Sequence, residues 1–196
     1  MNYDYIDISG IIAGFLSFLA FIIYYISIFR GKSTPNRATW LILTIVGLLI
    51  AASYYSIGAR ETMWVAVIYA IGPFITFLLS IKYGEGGWVL LDKVCLILSG
   101  ISILIWSFSG IPMLTLLINI FIDFLGVLPT IKKSYLRPYS EDALTWIFVC
   151  IASVLNLIAV REWNFSIYIY PVYMFIFNTL IMLFVITPKL RNRLER

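Results

Sequence analysis

Asp123 is the residue best suited to do chemistry in this chain, because it places a carboxyl group in the middle of an apolar run. The run, LINIFIDFLGVLPTIKK, extends from Leu117 to Lys133. An ionised Asp at the centre of a bilayer costs about 2.5–3.5 kcal/mol, whereas each Leu or Ile contributes only about 0.3–0.6 kcal/mol to insertion. Such an acid fits two functions: hydrogen bonding to a polar substrate, or uptake and release of a proton. The structural alternative is an Asp that is satisfied by Thr, Asn or Tyr side chains of neighbouring helices.

Helical spacing places Asp123 on a polar stripe. Its members follow one another at steps of four, four, three and four residues: Thr115, Asn119, Asp123, Gly126 and Thr130. A stripe of polar or small residues on a membrane helix faces protein or water and not lipid. Asn119, one turn from Asp123, is therefore a second candidate for substrate binding.

Further polar groups stand in the later apolar runs. These candidates for substrate binding are Asn156, Asn178, Tyr170 and Tyr173. Each Asn taken alone is equally well explained as a contact between helices worth about 1 kcal/mol, but their co-occurrence with Asp123 favours one small polar site. No basic residue occurs at mid-membrane depth to pair with Asp123, which argues against a structural ion pair.

Three prolines are candidates for hinge or gating positions: Pro73, Pro129 and Pro171. Proline has no N–H, so Pro73 and Pro171 leave the carbonyl groups four residues earlier without a helical partner. Kinks at corresponding places in two halves of a chain suit alternating access, and static kinks are the alternative.

Several kinds of chemistry are not expected. The chain has no His and only two Cys, each inside an apolar run, which cannot form a disulfide framework or a Cys/His metal site. The YGEGGW segment, Tyr83–Trp88, lacks the Lys-Ser/Thr of a phosphate loop. Asp123 has no second catalytic group beside it. We therefore expect no catalytic residues, no metal, no cofactor and no enzymatic activity.

The elements that must position these groups are membrane helices. The 196-residue chain is 62% hydrophobic and 12% charged, with a mean hydropathy of +0.97, which is typical of an all-α integral membrane protein. Seven transmembrane spans are predicted. They run Ile8–Phe29, Thr39–Tyr55, Met63–Ile81, Trp88–Trp106, Pro112–Ile131, Ala143–Val160 and Phe165–Ile186.

The distribution of basic residues predicts the orientation. Of the 14 Lys and Arg residues, only Arg60 and Arg161 lie on one side of the predicted spans. Positive charge collects on the cytoplasmic side, so the N-terminus is expected outside and the C-terminus in the cytoplasm. We expect the bacterial plasma (inner) membrane and the lipid bilayer as partner, with no nucleic acid. Gly10, Gly14 and Ser17 form a small-residue face for close packing, within the chain or in a homo-oligomer.

An internal repeat relates the two ends of the chain. RETMWVAVIY, Arg60–Tyr69, resembles REWNFSIYIY, Arg161–Tyr170, and the upstream RATW resembles ALTW. The matches place spans one to three against spans five to seven in the same orientation. The expected architecture is thus a 3+1+3 parallel repeat: a triple-helix bundle at 1–83, a linker helix at 84–108 and a second bundle at 109–196.

This arrangement resembles the SWEET and PQ-loop transporters and the related PnuC vitamin transporters. Leu128-Pro129-Thr130 stands where PQ-loop families carry Pro-Gln, and Asn178 matches one member of the SWEET Asn pair, whereas the third helix offers Thr76 and Ser80. The resemblance implies alternating access for a small polar organic solute that is sugar-, nucleoside- or vitamin-like, either facilitative or proton-coupled through Asp123. The alternative is a non-transporting membrane receptor or scaffold protein on the same fold.

Overall fold

All regular secondary structure in the described part of the chain is helical. A computed structural model describes residues 4–35, 37–84 and 90–194, and no strand occurs among them. Seven α-helices and one 3₁₀ turn, Pro138–Ser140, are present in these ranges. The helices are α1 Tyr5–Phe29, α2 Arg37–Ile57, α3 Met63–Tyr83, α4 Leu90–Ser109, α5 Pro112–Leu136, α6 Ala143–Ile158 and α7 Phe165–Leu194.

The helix bounds follow the predicted spans closely, with one large difference. We expected the seventh span to end at Ile186, but α7 continues through Pro188 to Leu194. A membrane span is limited by apolar length, whereas a helix can extend into water with polar residues, and the chain after Ile186 is basic. The predicted start of the fourth span at Trp88 lies outside the described residues.

Within the described ranges, five helices are long and apolar enough to cross a membrane, which is the pattern of an integral membrane protein. They are α1, α2, α3, α5 and the first part of α7, Phe165–Pro188. The apolar stretches of the other two, Lys93–Ile105 in α4 and Ala143–Ile158 in α6, are shorter. The 16 residues of α6 extend about 24 Å, against roughly 30 Å of hydrocarbon. The seven-span count stays a prediction.

Six of the helices pack in a closed ring. The order around the ring is α1, α3, α2, α5, α7 and α6, and α6 contacts α1 again. α4 stands beside the ring, where it contacts α5 and α2. Large apolar side chains such as Phe15 and Phe121 are exposed on the outside, as expected for a surface that acyl chains cover.

The small-residue face of α1 packs inside the chain. A side chain at Gly10 would overlap the main-chain carbonyl oxygen of Glu61 and touch Ala159, the residue directly after α6. A side chain at Gly14 would overlap Trp64 of α3. These contacts bring α1 close to the start of α3 on one side and to the end of α6 on the other, which needs residues without bulk.

Two ends of the bundle can be named by the residues that meet there. At the Arg161 end, Arg161 lies beside Asp4 and Glu61, so the start of α1, the α2–α3 connection and the α6–α7 connection come together. At the Arg37 end, the Arg37 guanidinium donates hydrogen bonds to the carbonyl oxygens of Ser80 and Gly84. Arg37 thereby binds the C-terminal end of α3, where the Ser80 carbonyl oxygen also accepts a hydrogen bond from the Gly84 N–H.

Candidate functional site

Asp123 points into the helix ring. The exposed side of α5 carries Leu117 and Phe121, and Asp123 stands two residues after Phe121, on roughly the opposite face of the helix. The hydroxyl group of Tyr173 on α7 donates a hydrogen bond of 2.5 Å to Oδ2 of Asp123. Tyr173 is only 7% exposed. The carboxyl group therefore lies among protein side chains, although Asp123 keeps a partly accessible surface.

Further aromatic rings adjoin the Tyr173 ring whose hydroxyl binds this carboxyl group. The ring of Tyr170 lies parallel to that of Tyr173, within 18° at a centroid distance of 6.4 Å. Tyr54 of α2 meets Tyr170 edge to face at 5.4 Å, and Phe177 lies 4.9 Å from Tyr173. Tyr69 of α3 is close enough to interact electrostatically with Asp123. We call Tyr54, Tyr69, Tyr170 and Tyr173 the tyrosine cluster.

Asn178 links three helices beside the tyrosine cluster. Its amide nitrogen donates a hydrogen bond of 2.7 Å to the Ser153 hydroxyl on α6, and its side chain interacts with the hydroxyl group of Tyr69 on α3. Of the residues that the sequence singled out, the structure therefore brings together Asp123, Tyr170, Tyr173 and Asn178.

Asn156 faces the middle of the ring from α6. Ser153 stands three residues before Asn156 and Ala159 three residues after it. Viewed down the helix axis, their side chains therefore lie about 60° to either side of Asn156. Ser153 contacts α7 and Ala159 faces α1, so Asn156 points between these two helices. It is 0% exposed, and neither amide atom has a hydrogen-bond partner within the described ranges. A buried amide without partners is costly, and a solute or water bound beside it would satisfy it.

Asn119 is not part of this group. Its amide nitrogen donates hydrogen bonds of 3.0 Å to the Ser102 hydroxyl on α4 and 2.8 Å to the Thr115 carbonyl oxygen. Four residues along a helix correspond to a rotation of about 40°, so the polar stripe turns as it runs along α5. Its first part faces α4, and Asp123 faces α7.

The carbonyl groups that two of the predicted hinge prolines leave without a helical partner both contact α2. Pro171 lies inside α7, and the carbonyl oxygen of Ile167 accepts a hydrogen bond of 2.6 Å from the Tyr54 hydroxyl. Pro73 lies inside α3, and the carbonyl oxygen of Tyr69 packs against Gly47 of α2. Glycine allows this close approach because it has no side chain. Pro129 lies within the range of α5.

Arg161 binds three carboxylates at its end of the bundle. Its guanidinium lies 2.7 Å from Glu61, 2.8 Å from Asp4 and 3.2 Å from Asp7. The hydrogen bonds from Arg161 hold the pKa of Asp4 below its usual value, and those carboxylates raise the pKa of Arg161. We call these four residues the Arg161 latch. The latch joins residues near the first three helices to the α6–α7 connection.

Comparison with known proteins adds no family name to this geometry. No family model, curated protein or solved structure matches the chain. What the site can do therefore follows from its own groups. They are one carboxyl group, two Asn amides and four phenols, held inside a ring of apolar helices.

Sequence reasoning missed Tyr54, Tyr69 and the Arg161 latch. A signal for Tyr54 was present, because Pro171 leaves the Ile167 carbonyl in need of a donor from another helix. Nothing local points to Tyr69 or to the pairing of Arg161, which depends on how the helices pack.

We expect Tyr54→Phe to destabilise the protein by about 1–3 kcal/mol, because it leaves the buried Ile167 carbonyl without a donor. Thermal denaturation of the detergent-purified protein measures this change. Tyr55→Phe is the matched control, since Tyr55 is the next residue and is 73% exposed. Equal melting temperatures for the two variants would contradict the importance of this bond.

Proposed function

We propose that this chain is a membrane transporter that moves a small polar organic solute by alternating access. The solute would bind at Asp123 and its neighbours, between two bundles of three helices, either by facilitated diffusion or coupled to a proton on Asp123. The observation that carries the proposal is Asp123 on the inner side of the helix ring, partly accessible as a residue and bound to Tyr173 of α7. The buried Asn156 amide, which has no partner among the described residues, adds to it.

The helix contacts support a 3+1+3 parallel repeat. Exchanging α1 with α5, α2 with α6 and α3 with α7 turns each contact of the ring into another contact of the ring. For example, the α1–α6 contact becomes the α5–α2 contact. α4 has no counterpart in this exchange, which is expected of a helix that links the two bundles. The 21 residues of α2 and 16 residues of α6 also explain why the RATW and ALTW motifs stand at different distances from the repeated Arg-Glu.

We place the Arg161 end outside the cell and the Arg37 end in the cytoplasm, in the bacterial inner membrane. The asymmetry of Lys and Arg supports this orientation. It requires all seven α-helices to cross the membrane, including the short α6, whose ends would be accommodated by local thinning of the bilayer.

In this orientation the described conformation is closed on the outside. The Arg161 latch and the bond from Tyr54 to the Ile167 carbonyl both join the two proposed bundles near that end. Opening would break these contacts, and the hinge prolines Pro73, Pro129 and Pro171 are the places where the helices would bend.

A receptor or scaffold on the same fold is the alternative function. Such a protein needs a packed interior whose polar groups satisfy one another. Asn156 has no partner in the described part of the chain, and Asp123 is partly accessible. Both observations favour a site that a solute or water fills.

A two-step experiment tests the transporter. Sugars, nucleosides, vitamins and amino acids are screened on detergent-purified protein for a rise in melting temperature, because a ligand that binds only the folded state stabilises it. Each hit is then tested for counterflow in proteoliposomes that contain the protein. Counterflow above that of empty liposomes is the expected result. Binding without counterflow of any hit would favour the receptor.

A further inference from the structure

We propose that the solute is an organic cation, an inference that rests on the proposed function and specifies its substrate class. The first support is the charge balance of the ring. Asp123 stands in the middle of α5, and no Lys or Arg occurs in the middle third of any of the seven described helices. An anion would meet a carboxylate with no cation to offset it, whereas a cation would neutralise it.

The second support is the set of rings around the carboxyl group. Tyr170 and Tyr173 lie parallel to each other, Phe177 packs against Tyr173, and Tyr69 of α3 lies near enough to Asp123 to interact with its charge. The face of an aromatic ring attracts a cation, most strongly away from water, and aromatic side chains are the usual partners of quaternary ammonium groups. One carboxylate among several tyrosines is therefore suited to an ammonium group.

The third support is Asn156, which specifies what else the solute carries. Its amide donates and accepts hydrogen bonds, and both atoms are without partners among the residues described. A hydroxyl or amide group on the solute would satisfy them. The solute class that fits both parts of the site is a small ammonium compound with a polar substituent.

The test compares cations with neutral molecules of the same shape. Choline and ethanolamine are titrated into the detergent-purified full-length protein, each beside the compound in which carbon replaces the charged nitrogen, 3,3-dimethylbutan-1-ol and propan-1-ol. The melting temperature is the measurement. We expect at least one cation to raise it, with an apparent affinity at least about tenfold above that of its neutral counterpart.

Variants identify the site. Asp123→Asn should weaken binding of that cation at least about tenfold, the factor for one lost charge-assisted contact. Thr115→Val on the same helix should not change it, because Thr115 stands eight residues before Asp123, which is about 12 Å along the helix axis. The comparison of charged and neutral compounds on the unmodified protein does not depend on whether Asp123→Asn folds.

Three results would overturn the cation inference: no stabilisation by either cation, equal stabilisation by its neutral counterpart, or unchanged binding to a folded Asp123→Asn. The proposed transport function is judged separately by counterflow. If a sugar or nucleoside shows counterflow while neither cation binds, the result would support the proposed transport function and contradict the cation inference.

Discussion

Asp123→Asn is expected to reduce the initial rate of uptake into proteoliposomes at least about tenfold, for whichever solute the screen identifies. Asn has almost the same size as Asp, and its carbonyl oxygen can still accept the Tyr173 hydrogen bond that Asp123 accepts. The variant therefore removes charge and proton binding but little packing. A hydrogen bond to a charged group contributes about 1.5–3 kcal/mol, which corresponds to a factor of about 10 or more.

The control for this prediction lies on the same helix. Thr115→Val replaces a fully buried hydroxyl group that has no partner in the ranges described by a methyl group of similar size. Its uptake should match that of the unmodified protein. Wild-type uptake by a correctly folded Asp123→Asn would remove Asp123 from both the substrate site and the proton site.

Arg161→Gln is expected to open the Arg161 end of the bundle. The side chains of Asp4, Asp7 and Glu61 all contact the Arg161 guanidinium, so without it three carboxylates are left near one another with no cation between them. Their repulsion favours separation of the connections that the latch joins. Cysteine labelling from that side measures the effect, with Ser53→Cys as the reporter.

Ser53 suits this purpose because it is fully buried and stands one turn before the end of α2. We expect Arg161→Gln to raise the labelling rate of Ser53→Cys on the order of tenfold, within the usual range of coupling between sites. Arg60→Gln, at the equivalent position of the repeat, is the control. An unchanged rate in Arg161→Gln would show that the latch does not hold this end closed.

The ion pair between Asp4 and Arg161 should keep its contribution to stability across the physiological pH range. The pKa of Asp4 is lowered in the folded protein, so its stabilising contribution is present above its ordinary pKa of 3.8 and is lost only as the pH falls below that value. The pKa of Arg161 is raised above its usual value by the carboxylates of Asp4 and Glu61, so its contribution is lost only at strongly alkaline pH. A pH dependence of uptake between about 5 and 9 would therefore originate elsewhere.

The helices could be predicted well from the sequence because apolar length decides them. The end of α1 at Phe29 and the starts of α3 at Met63 and α5 at Pro112 coincide with the predicted span bounds. The direction of Asp123 was also predictable, since α5 places its large apolar side chains on the opposite face.

The composition of the site was only partly predictable. Asn119 and Asp123 share a stripe in the sequence, yet the 40° rotation over four residues sends Asn119 to α4, a neighbour that no local pattern reveals. The Arg161 latch joins residues 100 and 157 positions apart. Contacts of that kind depend on which helices are neighbours in the ring, and helix order is a tertiary property.

Water access to Asp123 is the most direct test of the central claim that this residue borders an aqueous site inside the ring. Asp123→Cys and Phe121→Cys are made in a protein without the buried Cys95 and Cys150, and both are exposed in liposomes to a charged thiol reagent on both sides. Phe121 is 55% exposed on the lipid-facing side of α5. We predict that Asp123→Cys reacts and Phe121→Cys does not, whereas a folded Asp123→Cys that reacts no faster than Phe121→Cys would contradict the account.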